Sequence, residues 1–105
     1  MSKSVIAEIK IIPLGTATTS LSQYIAGGIK VVKQAKDISY QVTAMGTIIQ
    51  GPLDRVLELA RKMHEVPFTM GAKRVVTTIS LDDRRDKEAT IESKVKAVTR
   101  AGHAP

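Results

Sequence analysis

From Val5 to Ile12 the chain alternates with the period of a strand. Val5, Ala7, Ile9 and Ile11 fall on one face, and Ile6, Glu8, Lys10 and Ile12 on the other. Both faces are largely apolar, so the pattern predicts a strand covered on both sides, with Glu8 set between Ile6 and Lys10. Pro13-Leu14-Gly15 and the hydroxyl-rich stretch to Thr19 close the strand as a turn. Leu21, Tyr24, Ile25, Gly28, Ile29 and Val32 then recur at helical spacing, and Ser20 and Gln23 are placed as a capping box. Gly27-Gly28 inside that helix costs up to about 1 kcal/mol per residue relative to alanine, so a close approach to a strand is expected at Gly28.

A second alternating run sets Tyr40, Val42 and Ala44 against Gln41, Thr43 and Met45. Met45-Gly46-Thr47 breaks it, and Thr47 to Gln50 is extended again, which predicts a hairpin or a bulged continuation. Gly51-Pro52 ends this run and opens a helix, since proline is tolerated where its missing donor is not needed. Leu53, Val56, Leu59, Ala60, Met63 and Val66 form that helix's apolar stripe. Pro67 conflicts with it and predicts a kink or a change of helical geometry, with Gly71 as the stop. Lys73 to Leu81 reads as the last strand, and Ile91, Val95 and Val98 as a short final helix. The order is βαββαβ with an appended helix, the ferredoxin-like α+β arrangement of an antiparallel sheet under two helices. Residues 1–105 are read as a single domain of this type. The sheet face left bare would carry Ile6, Glu8, Ile12, Thr43, Met45, Val76 and Thr78, an apolar set that predicts self-association.

Composition narrows the chemistry. Aromatics are only 3% against 43% hydrophobic residues, so the core is aliphatic, and the lack of cysteine excludes disulfides, thiolate metal sites and thiol nucleophiles. No signal-like segment opens the chain and no apolar run is long enough to span a bilayer, which predicts a cytoplasmic protein without membrane contact. A formal charge of +6 invites comparison with nucleic-acid binders. An RNA-recognition module has the same strand order but stacks bases on aromatics of its central strands, and here both central strands contain none. Only weak, salt-sensitive nucleic-acid binding is expected, with no sequence preference. Neither His64 nor His103 has a partner at metal-ligand or triad spacing, and no nucleophile elbow or phosphate loop is present. The expectation is a protein that is not an enzyme, with no cofactor and no metal.

VIAEIKIIPLGTATTSLSQYI, TAMGTIIQG and MGAKRVVTTISLDDRRDK, in that order and spacing, resemble the small thiamine-binding-protein family of the YkoF-like superfamily. Pro52 and Pro67 depart from the family's commoner pattern. The resemblance implies a ferredoxin-like subunit assembling as a dimer of dimers through sheet faces and edges, and a pocket for thiamine or its hydroxymethylpyrimidine half. Such a protein would act as a carrier or a sensor.

Set against that ligand, the residues offer a site. The Glu8 carboxylate can meet an aminopyrimidine or a cationic thiazolium. Thr43 and Thr47 can supply hydroxyls, Met45 a soft wall and Gly46 close backbone access, with Ser20 and Tyr24 at the start of the first helix. Plain alternatives stand beside these readings: Glu8 paired with Lys10, Lys73 or Arg74; Met45 and Tyr24 in the core; Arg84 and Arg85 paired with Asp82, Asp83 or Asp86 rather than holding an anion. A regulatory or structural oligomer with an anion site at Arg84 and Arg85 is the competing function.

Overall fold

The computed structural model describes residues 4–103. Strand β1 (Ser4–Leu14) leads into helix α1 (Ser22–Lys33), then β2 (Ser39–Val42), β3 (Thr47–Pro52), α2 (Leu53–Thr69), β4 (Arg74–Asp82) and α3 (Ile91–His103). The sheet order is β2-β3-β1-β4, every neighbouring pair antiparallel, so the first strand lies at the centre as the ferredoxin-like arrangement requires.

Period-two burial along β1 decides which face is the core. Val5, Ala7 and Ile9 are almost fully buried with Ile49 of β3, against Val32 of α1 and Val56, Leu59, Ala60 and Met63 of α2. The opposite face carries Ile6, Glu8, Ile12, Val76 and Thr78, as the alternation predicts, but it is not covered within the chain: Ile12 and Val76 are each more than two-fifths exposed. Only its end is occupied. There the Ile91 amide donates to Gln50 Oε1 at 2.8 Å and Lys94 reaches Asp82 at 2.6 Å, which seats the start of α3. Gln50 and Asp82 both face Ile6 across the sheet, so they stand on this open side.

Three local expectations need correcting. The capping box at Ser20 does not form: α1 is capped by Leu21 without a side-chain bond, and the Ser20 hydroxyl meets that of Ser22 at 3.2 Å. Leu21 has near-helical backbone angles and a half-buried side chain, so apolar burial rather than a hydroxyl sets the helix start. Gly28 packs on Met63 and Gly27 on Val66; the two glycines bring α1 close to α2, not to a strand. Thr43 and Met45 lie outside β2, in the turn to β3, rather than on the open sheet face.

Pro67 is accommodated in the last turn of a continuous α2. Beyond it the Met70 and Gly71 amides bond three residues back, to the Pro67 and Phe68 carbonyls, a tightening of the helix. Gly71 then stops it at a φ of 98°, where a side chain would be strained.

Candidate functional site

The β2–β3 turn is built by one threonine. Val42 pairs with Thr47, and the Thr43 amide donates to the Gly46 carbonyl at 2.9 Å, leaving Ala44 and Met45 at the tip. Neither tip residue has positive φ, so the mirror-image turn usual for such short hairpins is absent. The Thr43 hydroxyl supplies the missing restraint: it donates to the Gly46 carbonyl at 2.8 Å and accepts the Gly46 amide at 3.1 Å and the Met45 amide at 3.3 Å. Gly46 is needed for closeness. A Cβ there would stand 3.0 Å from the Ile9 carbonyl oxygen and 3.2 Å from the Lys10 stem.

Folded this way, the turn closes one side of a cavity of about 240 Å³ on the helix side of the sheet. Ile9, Ile11 and Ile12 of β1 line it with Leu21, Tyr24, Ile25 and Gly28 of the α1 segment, Met63 of α2, and Thr43 to Thr47 of the turn; Lys10 completes the lining. The spacing Leu21, Tyr24, Ile25, Gly28 was visible as an apolar stripe, but nothing in it separates a core stripe from a pocket wall. Gly28 contributes by what it lacks, since its missing side chain leaves Met63 as the lining there.

The structure thus brings Tyr24, Thr43, Met45, Gly46 and Thr47 together and leaves two expected members apart. Ser20 is exposed and outside the lining. Glu8 stands on the other face of the sheet, paired with Lys10 at 3.5 Å and about a third exposed. Its stem abuts the outside of the turn, 3.4 Å from where a Gly46 Cβ would sit. Alternation places it there: Ile9 points to the cavity, so Glu8 beside it turns to the opposite face and stays out of the lining. No carboxylate lines the cavity. The polar lining consists of hydroxyls, the backbone and Lys10, with Thr43's hydroxyl already committed to the turn and Thr47 almost fully buried. Met45 is 73% exposed, a flexible thioether at the rim.

Arg84 and Arg85 are engaged by neighbouring aspartates. Arg84 grips Asp86 with two bonds of 2.6 and 2.9 Å, and Arg85 holds Asp83 at 2.8 Å. The hydrogen bond from Arg84 holds the Asp86 carboxyl down to about 2. One contact outside the cavity gave no signal in the sequence: His64 Nδ1 lies 2.6 Å from the Thr77 hydroxyl, its ring edge-on to Phe68, tying α2 to β4. Among the described residues no cluster of His, Cys, Asp or Glu could hold a metal ion, and no helix is long and apolar enough to cross a membrane.

Comparison with known proteins gives consistent relatives. The family described as "Thiamine-binding protein" matches over residues 7–99. UPF0045 protein YqgV of Bacillus subtilis is 45% identical over 98 residues, covering 90% of this chain and 94% of its own. Among solved structures, the hypothetical protein MJ1052 of Methanocaldococcus superposes with a TM-score of 0.83 at 39% identity, over 92% of this chain and 97% of its own. TM0486 of Thermotoga maritima, a candidate thiamine biosynthesis/salvage protein, has a TM-score of 0.74 at 22% identity, over 90% of this chain and 98% of its own, and supports the fold alone.

Proposed function

The chain belongs to the thiamine-binding protein family, and on that premise we propose that it binds a thiamine-type ligand without catalysis, through the aminopyrimidine half, as a carrier or sensor. The observation that carries the choice of half is the small size of the cavity and the lack of any carboxylate in its lining. Sites for drug-sized ligands run to roughly 300–1,000 Å³. At about 240 Å³ this one suits a single substituted ring better than two linked rings. A thiazolium cation entering it would meet no carboxylate of this chain, because Glu8 is across the sheet. A neutral, flat aminopyrimidine loses less on desolvation and can exchange hydrogen bonds with the Tyr24 hydroxyl at the α1 end and with turn backbone at the other. Met45 then closes over the ring.

Titration calorimetry with thiamine, with hydroxymethylpyrimidine and with the thiazolium fragment alone tests this. The expected result is that the pyrimidine binds and the thiazolium does not, and that Tyr24→Phe weakens the pyrimidine by about 0.5–1.5 kcal/mol, the net worth of one hydrogen bond. Thiazolium binding as tight as thiamine would reverse the orientation. No binding of any of the three would remove the vitamin reading altogether. An anion site at Arg84 and Arg85 has less support, since each guanidinium is held by an aspartate two residues away.

A further inference from the structure

Four consecutive residues of β1, Ile9 to Ile12, line the cavity. Neighbouring side chains of a strand point to opposite faces, so one face alone cannot supply four in a row. The cavity therefore meets β1 along its edge, where the backbone itself is open. The strand pairing leaves that edge bare. β1 pairs with β4 as far as Leu14, but its pairing with β3 stops at Ile9 opposite Thr47, because the chain turns away through Thr43 to Gly46. Beyond Ile9, one side of β1 has no neighbouring strand among the described residues.

The turn also fixes which backbone groups face that gap. The bond from the Thr43 amide to the Gly46 carbonyl makes these two a hydrogen-bonded pair, and bonded and non-bonded pairs alternate along an antiparallel ladder. Val42 and Thr47 are then a non-bonded pair, so Thr47, Ile49 and Gly51 turn their N–H and C=O groups toward β1. They meet Ile9, Ala7 and Val5 there. Two residues on, Ile11 directs its N–H and C=O the same way, whereas Lys10 and Ile12 direct theirs to β4, opposite Thr78 and Val76. Among the described residues no backbone hydrogen bond joins Ile11 to the turn. Pro13, next of that parity, has no N–H, so a further strand could not pair there. An N–H and a C=O left unpaired beside Ile9, Leu21, Ile25 and Met63 are costly, and a ligand that pairs both removes the penalty.

We infer that the Ile11 backbone is the recognition edge of the cavity: its N–H donates to a ring nitrogen of the ligand, and its C=O accepts from an amino group on the adjoining ring carbon. This rests on the reading of the ligand as an aminopyrimidine and states which side of the ring is held. The N–H and C=O of one extended residue lie side by side and point the same way, as they do in a hydrogen-bonded strand pair. They match a ring nitrogen flanked by an exocyclic amino group, the edge –N=C–NH2. A thiazolium ring lacks that edge, because its nitrogen is quaternary and offers no lone pair. The ligand class is therefore a flat, single-ring heterocycle with an amino group beside a ring nitrogen, held in the plane of the sheet as a short substitute for the missing strand. A contact made by backbone atoms calls for no particular side chain, so the sequence carries no mark of it.

Amide hydrogen exchange followed by NMR tests the contact directly. In the free protein the Ile11 amide should exchange faster than those of Lys10 and Ile12, and saturating hydroxymethylpyrimidine should slow it. The analogue with a methyl group in place of the amino group should bind about tenfold more weakly or worse, since it leaves the Ile11 carbonyl unpaired. Replacing Ile11 by its 2-hydroxy acid makes the Lys10–Ile11 link an ester, which removes the N–H and keeps the side chain. That variant should also lose about tenfold in pyrimidine affinity. Its melting temperature should fall less than for the same replacement at Ile9, whose N–H lies in the ladder. Three outcomes overturn the inference while leaving the vitamin reading in place: an Ile11 amide as protected as its neighbours in the free protein, bound pyrimidine without protection of Ile11, or equal affinity for the methyl analogue. Absence of any pyrimidine binding would remove both.

Discussion

Glu8 shows how little a residue's neighbours in sequence say about its surroundings. It sits in an apolar run, yet the structure leaves it about a third exposed, with Lys10 at 3.5 Å. Exposed pairs of this kind are worth about 0–1 kcal/mol. Glu8→Gln is therefore expected to change stability by less than about 1 kcal/mol in urea titrations, and to leave pyrimidine affinity within about twofold by calorimetry. A tenfold loss of affinity in the folded variant would move the ligand to the open face of the sheet. Thr43 is the complementary case. It reads as an ordinary strand residue, but its hydroxyl makes three bonds that hold the turn forming the cavity's wall.

At the scale of elements, the α1–α2 contact couples packing to the cavity. Gly27 and Gly28 are adjacent and chemically identical, but the space around them differs. A Cβ at Gly27 would stand 2.7 Å from Val66 Cγ1, a stiff β-branched side chain; at Gly28 the nearest atom is the Met63 methyl, in ordinary contact at 3.6 Å. Gly27→Ala should therefore lose about 1–3 kcal/mol to overpacking. Gly28→Ala should gain up to about 1 kcal/mol from helix propensity while narrowing the cavity and weakening the ligand. Thermal melts of the two variants should move in opposite directions. A shift in the same direction would mean that the helices re-space rather than hold their contact.

For the whole molecule, surface ion pairs set the response to acid. Hydrogen bonds from arginine or lysine hold five carboxyls below their ordinary values: Asp37 by Arg55, Glu58 by Lys62, Asp83 by Arg85, Asp86 by Arg84 and Glu92 by Lys96. A carboxyl with a lowered folded value contributes stability that is complete above its unfolded value and is lost as pH falls through the folded one. The unfolded values are 3.8 for aspartate and 4.5 for glutamate, and Asp86 falls to about 2, so the loss belongs between about pH 5 and pH 2. Urea midpoints should be nearly flat from pH 7 to 5 and drop below that. Salt should shrink the drop, because every pair is exposed and screened. A drop already complete by pH 5 would point to buried groups instead.

The element order and the core were legible because both follow from periodicity. Val5, Ala7 and Ile9 alternate, Val56, Leu59, Ala60 and Met63 recur at helical spacing, and burial follows the stripe in both cases. The turn at Met45-Gly46 was equally plain as a break in alternation. What lay beyond the sequence was which face each broken piece turns to. Thr43 and Met45 share the parity of Glu8's face only if the strand runs on, and a three-bond threonine turn ends it at Val42 instead. The cavity is made by that turn, by Leu21 at the head of α1 and by a glycine facing Met63, groups up to 42 positions apart between Leu21 and Met63 that no local pattern relates. Periodicity is a property of the local backbone and is carried by the sequence alone. A pocket is space left between elements, and only their packing in three dimensions decides it.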